Sequence, residues 1–168
     1  MKEIWELVDI YKEKIGVIHE RGKEASIPEG MYHLVVEVWT KNSKNEILLT
    51  QRHPNKKEGL LWECTGGSVV AGEDSRDGAI RELFEETGLS VKKGELIYLG
   101  DTKKSNYIVD TYLYLTKEDY PILQLQKEEV VDARWVNLDS MKDNQEQMTA
   151  GARERYCQFE EQIKKVKQ

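Results

Sequence analysis

The elements predicted along this chain fit an α/β (α+β) protein in which helices flank a mixed β-sheet. Alternating strands come in two pairs, 31–40 with 46–52 and 96–103 with 107–115, and one strongly patterned helix lies between the pairs. A second helical stripe closes the chain at Tyr156, Phe159, Ile163 and Val166, and reads as a face that packs on the domain.

In order, residues 4–21 set Trp5, Leu7, Ile10, Ile15, Val17 and Ile18 around the turn-like stretch Lys12–Gly16. A hairpin or a helix followed by a strand both fit; the β-branched residues and Gly16 favour the hairpin. Pro28-Glu29-Gly30 opens the clearest strand, where Leu34, Val36 and Val38 alternate with His33, Val35, Glu37 and Trp39. Asn42–Asn45 turns it onto 46–52, centred on Ile47-Leu48-Leu49. The loop 53–61 leads through Trp62 to the pair Gly66-Gly67, where the chain can come close to a ligand or metal. Strands 96–103 and 107–115 follow the helix; Tyr107, Tyr112 and Tyr114 read as packed strand tyrosines or as the frame of a substrate base. Asp119-Tyr120-Pro121 interrupts the pattern before a last strand at 130–136.

The helix of the central stretch is bounded by Asp74 or Ser75 as N-cap and by Gly88 just past its end. Glu82, Glu85 and Glu86 fall within one arc of about 100°, while Ile80, Leu83, Phe84 and Thr87 take the opposite side. Gly78 inside the helix costs about 1 kcal/mol against alanine and points to something packed close by. Carboxylates three and four residues apart repel, so a partly enclosed cluster calls for a cation. Hard oxygen ligands on a rigid element suit Mg²⁺ or Mn²⁺. A solvated acidic face balanced by Arg76 and Arg81 is the plainer alternative.

The chain has 168 residues, a net charge of −6 and a charged fraction of 33%. That length suits a single domain, 1–168, with a core over about 31–140, a hairpin-like N-terminal extension and a C-terminal helix. No apolar run approaches the ~18 residues of a membrane span, so a cytoplasmic protein is expected. Two cysteines, Cys64 and Cys157, lie far apart and indicate neither a disulfide framework nor a zinc site; Cys64 beside Trp62 reads as a packed residue. Without a basic run, nucleic acid is an unsuitable partner. A small phosphate substrate remains compatible, because a metal supplies positive charge locally. Apolar residues of the first twenty, such as Trp5 and Ile15, would suit a homodimer contact.

Gly67, Glu73, Arg81, Glu82, Leu83, Glu85, Glu86, Gly88 and Leu89 fit G-x5-E-x7-R-E-U-x-E-E-x-G-U, with U a bulky aliphatic residue. This spacing resembles the signature of the Nudix hydrolase superfamily, and a pattern this long outweighs the plainer reading. The resemblance implies the Nudix fold, a mixed sheet in an α/β/α sandwich, and hydrolysis of a diphosphate linked to another group, usually a nucleoside diphosphate derivative. It implies Glu82, Glu85 and Glu86 as metal ligands or base, the Gly66 carbonyl as a further ligand, and Arg81 with Glu73 as the orienting pair. Glu129, six residues before Trp135, matches the place of an accessory ligand or base, with Glu128 second. Arg52, Lys56 and Lys57 are expected to grip the diphosphate, although the lysines also read as ordinary solvated loop charges.

Segments 32–57 and 123–138 resemble the isopentenyl-diphosphate isomerase branch of the superfamily and its hydrolase-like relatives. His33 matches a metal-binding histidine of those isomerases, or is a strand histidine satisfied by a neighbour. The positions of the isomerase cysteine and second histidine hold Gly67 and Val69, and Cys64 comes three places too early. Protonation of an isoprenoid double bond needs an acid held at the carbon. Hydrolysis is therefore the better expectation, ahead of an isomerase or a non-catalytic diphosphate-binding module.

Overall fold

The computed structural model describes residues 3–167. Its elements are β1 (Ile4–Val8), β2 (Lys14–Glu20), β3 (His33–Lys41), β4 (Glu46–Arg52), β5 (Trp62–Glu63), β6 (Thr65–Ser68), α1 (Ser75–Thr87), β7 (Leu96–Lys103), β8 (Tyr107–Leu115), β9 (Val130–Asn137), α2 (Met141–Asn144) and α3 (Ala150–Lys165). Short 3₁₀ turns fill several of the connections, and neither they nor α2 carry a periodicity visible in the sequence.

β1 and β2 form an antiparallel hairpin, and the other strands form a seven-stranded mixed sheet. β3 is central: it runs parallel to β8, with His33 opposite Tyr107, and antiparallel to β6, with Val36 opposite Gly67. At its far end Thr40 and Lys41 pair with β4, which also carries β5 and β9. Side chains alternate across a strand. Leu34, Val36 and Val38 therefore meet Ala79 and Leu83 of α1, while Trp39 meets Tyr156, Phe159 and Ile163 of α3. Each face of the sheet has its own core and its own helix, the α/β/α arrangement expected. No helix among the described residues is long and apolar enough to cross a membrane.

The hairpin at the N-terminus differs from its prediction in detail. The chain turns at 9–13, where the Asp9 carboxylate accepts the Tyr11 and Glu13 N–H groups and Lys12 takes φ 66°. Gly16 lies within β2 instead of at the turn. Trp5 is 2% exposed, which removes it from any dimer contact, whereas Ile15 stays at the surface. A tryptophan of this size contributes more buried against the sheet than it would at a rim.

Candidate active site

The loop-helix unit is fixed by local chemistry at both ends. Asp74 caps α1, accepting from Asp77 N at 2.9 Å, and Gly88 closes it in the left-handed region at φ 77°. The glycine inside the helix has its reason, since a Cβ on Gly78 would lie 3.0 Å from Val69 Cγ2. The helix faces divide differently from the expected pattern. Phe84, 100° round from Leu83, is 53% exposed, while Glu86 is 4% exposed. Glu86 follows Ala79 and Leu83 at i+7 and i+3, so it continues the inward stripe and brings a carboxylate into the protein.

Gly66 and Gly67 of β6 bring the backbone up beneath this helix. A Cβ on Gly67 would stand 2.3 Å from the Glu82 carboxyl carbon, and one on Gly66 would stand 2.4 Å from Val36 O. Only glycine permits both the sheet pairing and the close approach of Glu82.

Arg81 organises the carboxylates. Its Nε donates to Glu73 at 2.7 Å, Nη1 to Glu82 at 2.8 Å and Glu85 at 3.0 Å, and Nη2 to Ser68 O at 2.7 Å and to Glu73 at 3.0 Å. The hydrogen bond with Glu73, first among several, holds the guanidinium charged more firmly than usual. Glu73 also accepts from Val70 N at 3.2 Å, tying the loop before the helix to the same pair.

One cavity of about 190 Å³ gathers Gly66, Gly67, Arg81, Glu82, Glu85 and Glu86 with Lys56 and Glu129. Glu129 arrives through a segment laid on the end of α1, where Gln124 N donates to Thr87 O at 2.8 Å and Gln126 N to Glu86 O at 3.4 Å. The Glu129 carbonyl accepts from His53 N at 2.9 Å, and its carboxylate pairs with Lys56. Glu128 is not among the residues lining that cavity.

Arg52 and Lys57 lie elsewhere, in a separate hollow of about 480 Å³ that also holds Glu63, Tyr107 and the start of α3. Arg52 is already engaged there, Nη1 with Glu63 at 2.5 Å and Nε with Lys57 O at 2.9 Å. Glu3, Arg21 and Gln126 were not foreseen and line the carboxylate cavity. Glu3 and Arg21 sit far outside the helix spacing, which carries no information about them.

Burial pushes the Glu86 carboxyl well above the usual carboxylate range, with the charges of Glu63 and Glu82 adding to it. Burial likewise raises Glu82 and Glu63. Among the described residues, Glu86 Oε2 is buried without a hydrogen-bond partner. Among the described residues, no three His, Cys, Asp or Glu side chains stand converged as a ready metal cage. Arg81 draws Glu82 and Glu85 to itself instead. The donor set still fits a hard divalent cation: it is all oxygen, it leaves Glu86 Oε2 unmatched, and five carboxylates face three cations in the cavity. With all five ionised, the excess would be two negative charges, the charge of one such ion.

His33 is buried on β3 and stacks on Trp5, with ring centroids 3.5 Å apart. Its Nε2 has no hydrogen-bond partner among the described residues, so the neighbour that was to satisfy it supplies a ring face but no hydrogen bond. Cys64 is packed, as expected. Its Sγ donates to Glu37 at 3.2 Å, and burial pushes its thiol pKa up.

The NUDIX domain family matches residues 31–159. The chain belongs to the Nudix hydrolases. It is 34% identical over 148 residues to an uncharacterised Nudix hydrolase of Listeria monocytogenes, covering 83% of each chain. An ADP-ribose pyrophosphatase of Saccharomyces cerevisiae is 28% identical over 122 residues, 68% of this Nudix hydrolase and 53% of the yeast protein. A crystal structure of a Deinococcus radiodurans protein superposes with a TM-score of 0.76 at 18% identity, covering 94% of this chain and 99% of the other, and shares the fold. The enzyme is thus a hydrolase of a diphosphate linkage, in a family that uses divalent metals.

Proposed function

We propose that Glu82, Glu85, Glu86 and the Gly66 carbonyl hold Mg²⁺, with Mn²⁺ able to replace it, and that the enzyme hydrolyses the diphosphate of a nucleoside diphosphate derivative. The observation that carries this reading is Glu86 Oε2, a buried carboxylate oxygen without a partner in a cavity of like charge. A buried carboxylate oxygen left without a partner is costly, and a bound cation offsets that cost.

When bound, the metal withdraws charge from phosphate oxygens and makes water a better nucleophile. Arg81 and Glu73 keep the glutamates oriented. Lys56, which pairs with Glu129, supplies a point charge for the diphosphate, and Glu129 serves as an accessory metal ligand or base. ADP-ribose is the first substrate to try, since the yeast relative acts on it by name.

Within the family we place the chain beside the hydrolase-like relatives of the isomerase branch, on segments 32–57 and 123–138. Isomerisation itself gains no support: a side chain at position 67 would collide with Glu82, and the Cys64 thiol is sealed in the core. The test is product release, with and without Mg²⁺ or Mn²⁺, across ADP-ribose, nucleotide sugars, dinucleotide coenzymes, nucleoside triphosphates and isopentenyl diphosphate. Metal-dependent cleavage of one class supports the reading. Rearrangement of isopentenyl diphosphate without cleavage of any substrate would overturn it in favour of the isomerase, and no reaction at all would favour a binding module.

A further inference from the structure

The N-terminal hairpin lies outside the residues matched to the family, 31–159, yet its Arg21 and Glu3 line the carboxylate cavity. We propose that Arg21 is a substrate-binding residue, a guanidinium that the hairpin delivers to the diphosphate. The proposal rests on the hydrolase reading of the same cavity and adds a specific ligand contact to it.

The cavity has three cations, and they differ in what they can still do. Arg81 is engaged through all three of its nitrogens, by Glu73, Glu82, Glu85 and the Ser68 carbonyl, so it positions and does not receive substrate. Lys56 is a point charge paired with Glu129. Arg21 gives Nη1 to Glu3 at 2.7 Å and its side chain is 56% exposed. Its charge also reaches Glu129 and Glu82 across the cavity. A planar fork is the group best suited to two phosphate oxygens at once.

The hairpin holds that fork on a rigid mount. Val8 and Tyr32 exchange both backbone hydrogen bonds, at 2.9 and 2.8 Å, and Ala71 N donates to Ile4 O at 3.0 Å. The strand is thereby fastened both to the segment leading into β3 and to the loop entering α1. Glu3 is fixed in turn, accepting from the buried Trp5 indole at 2.7 Å while it pairs with Arg21. An ion pair this exposed adds little to stability. Its position at the rim of an anion-binding cavity accounts for it better than a structural role does.

The experiment measures binding of methylenediphosphonate, a diphosphate analogue that cannot be hydrolysed, to the full chain with Mg²⁺ by calorimetry. It is paired with kinetics on whichever substrate the panel identifies. Arg21→Ala and Arg21→Gln are expected to weaken analogue binding and raise KM about tenfold, with kcat changed far less, because uniform binding is lost. Arg21→Lys should recover part of the loss. Lys23→Ala, a hairpin cation paired with Glu20 and absent from the cavity wall, should behave as the wild type. An active wild-type hydrolase whose Arg21→Ala and Arg21→Gln variants keep their affinity and KM would overturn the proposal and leave the hydrolase reading standing. A wild type that neither cleaves a substrate nor binds the analogue would remove both.

Discussion

Arg81 grips Glu73 with two parallel hydrogen bonds, Nε to Oε1 at 2.7 Å and Nη2 to Oε2 at 3.0 Å, across eight residues of sequence. The same guanidinium reaches Glu82 and Glu85 with its remaining nitrogen. Lysine keeps the charge but has no fork, so Arg81→Lys should lower kcat by about 10- to 100-fold, the usual cost of removing an orienting partner from a metal site. Glu73→Gln should cost a similar factor. The double variant should lose less than the product of the two, since both act through one pair. Steady-state kinetics at saturating metal gives the coupling, and independent losses would show that the pair does not work as a unit.

Glu86 makes a prediction with opposite signs for activity and stability. Its folded carboxyl lies well above the unfolded value of about 4.3, so the metal-free native protein binds more protons than the unfolded chain in that window. Stability from this group therefore falls as pH rises from about 4.3 through the folded pKa. Glu86→Gln removes the ionising group. Without metal, the Glu86→Gln variant should be more stable than wild type at pH 7.5 by about 1–3 kcal/mol, yet its turnover should drop at least about tenfold. Melting with and without Mg²⁺ checks the linkage: the ion should raise the wild-type Tm more than the variant's. Equal shifts would mean that Glu86 holds no metal.

The two neighbouring glycines should respond differently to the same substitution. At Gly67 the new Cβ would meet the Glu82 carboxylate, the free end of a side chain, within 2.5 Å. Gly67→Ala should therefore keep the fold and displace Glu82, reducing kcat by about tenfold or more and weakening metal affinity. At Gly66 the obstacle is Val36 O, a backbone atom in the sheet. Gly66→Ala should cut into stability itself, by about 1–3 kcal/mol. Circular dichroism melts beside kinetics separate the two, and matching losses of stability would refute the distinction.

What the sequence made visible follows how local each determinant is. Asp74 and Gly88 bracket α1 because capping is decided within a turn, and the structure runs the helix from Ser75 to Thr87 between them. The spacing from Gly67 to Leu89 lies in one continuous stretch, so its geometry could be read directly. Lys56 and Glu129 come together through long-range pairing, with Arg52 of β4 opposite Val130 of β9 and His53 N bonded to Glu129 O. Arg52 was expected at the diphosphate because it ends a strand nearby. Glu63 on the adjoining β5 takes its guanidinium instead, a cross-strand contact that the linear order conceals. Glu86 looked like a member of the exposed face, since periodicity places carboxylates outside until a cavity is known to receive one. Trp5 was offered to a dimer for a related reason: nothing in the first twenty residues announces that His33 will stack on it.

That stack supplies a pH prediction independent of the metal. Trp5 and His33 lie face to face with an interplanar angle of 7°, and among the described residues His33 Nε2 has no hydrogen-bond partner. Burial lowers the His33 pKa from 6.5 to about 4. Between those values the unfolded chain takes up a proton that the native protein refuses, so the contribution to stability is fully present above pH 6.5 and is lost as pH falls towards 4. The loss amounts to about 3 kcal/mol at most. Urea unfolding at pH 7.5 and pH 4.5 should show it in the wild type. His33→Phe keeps a ring against Trp5 without a titrating nitrogen, so its acid loss should be smaller by about 2–3 kcal/mol. If wild type and variant weaken equally on acidification, the carboxylates alone set the acid limit and the buried imidazole has no part in it.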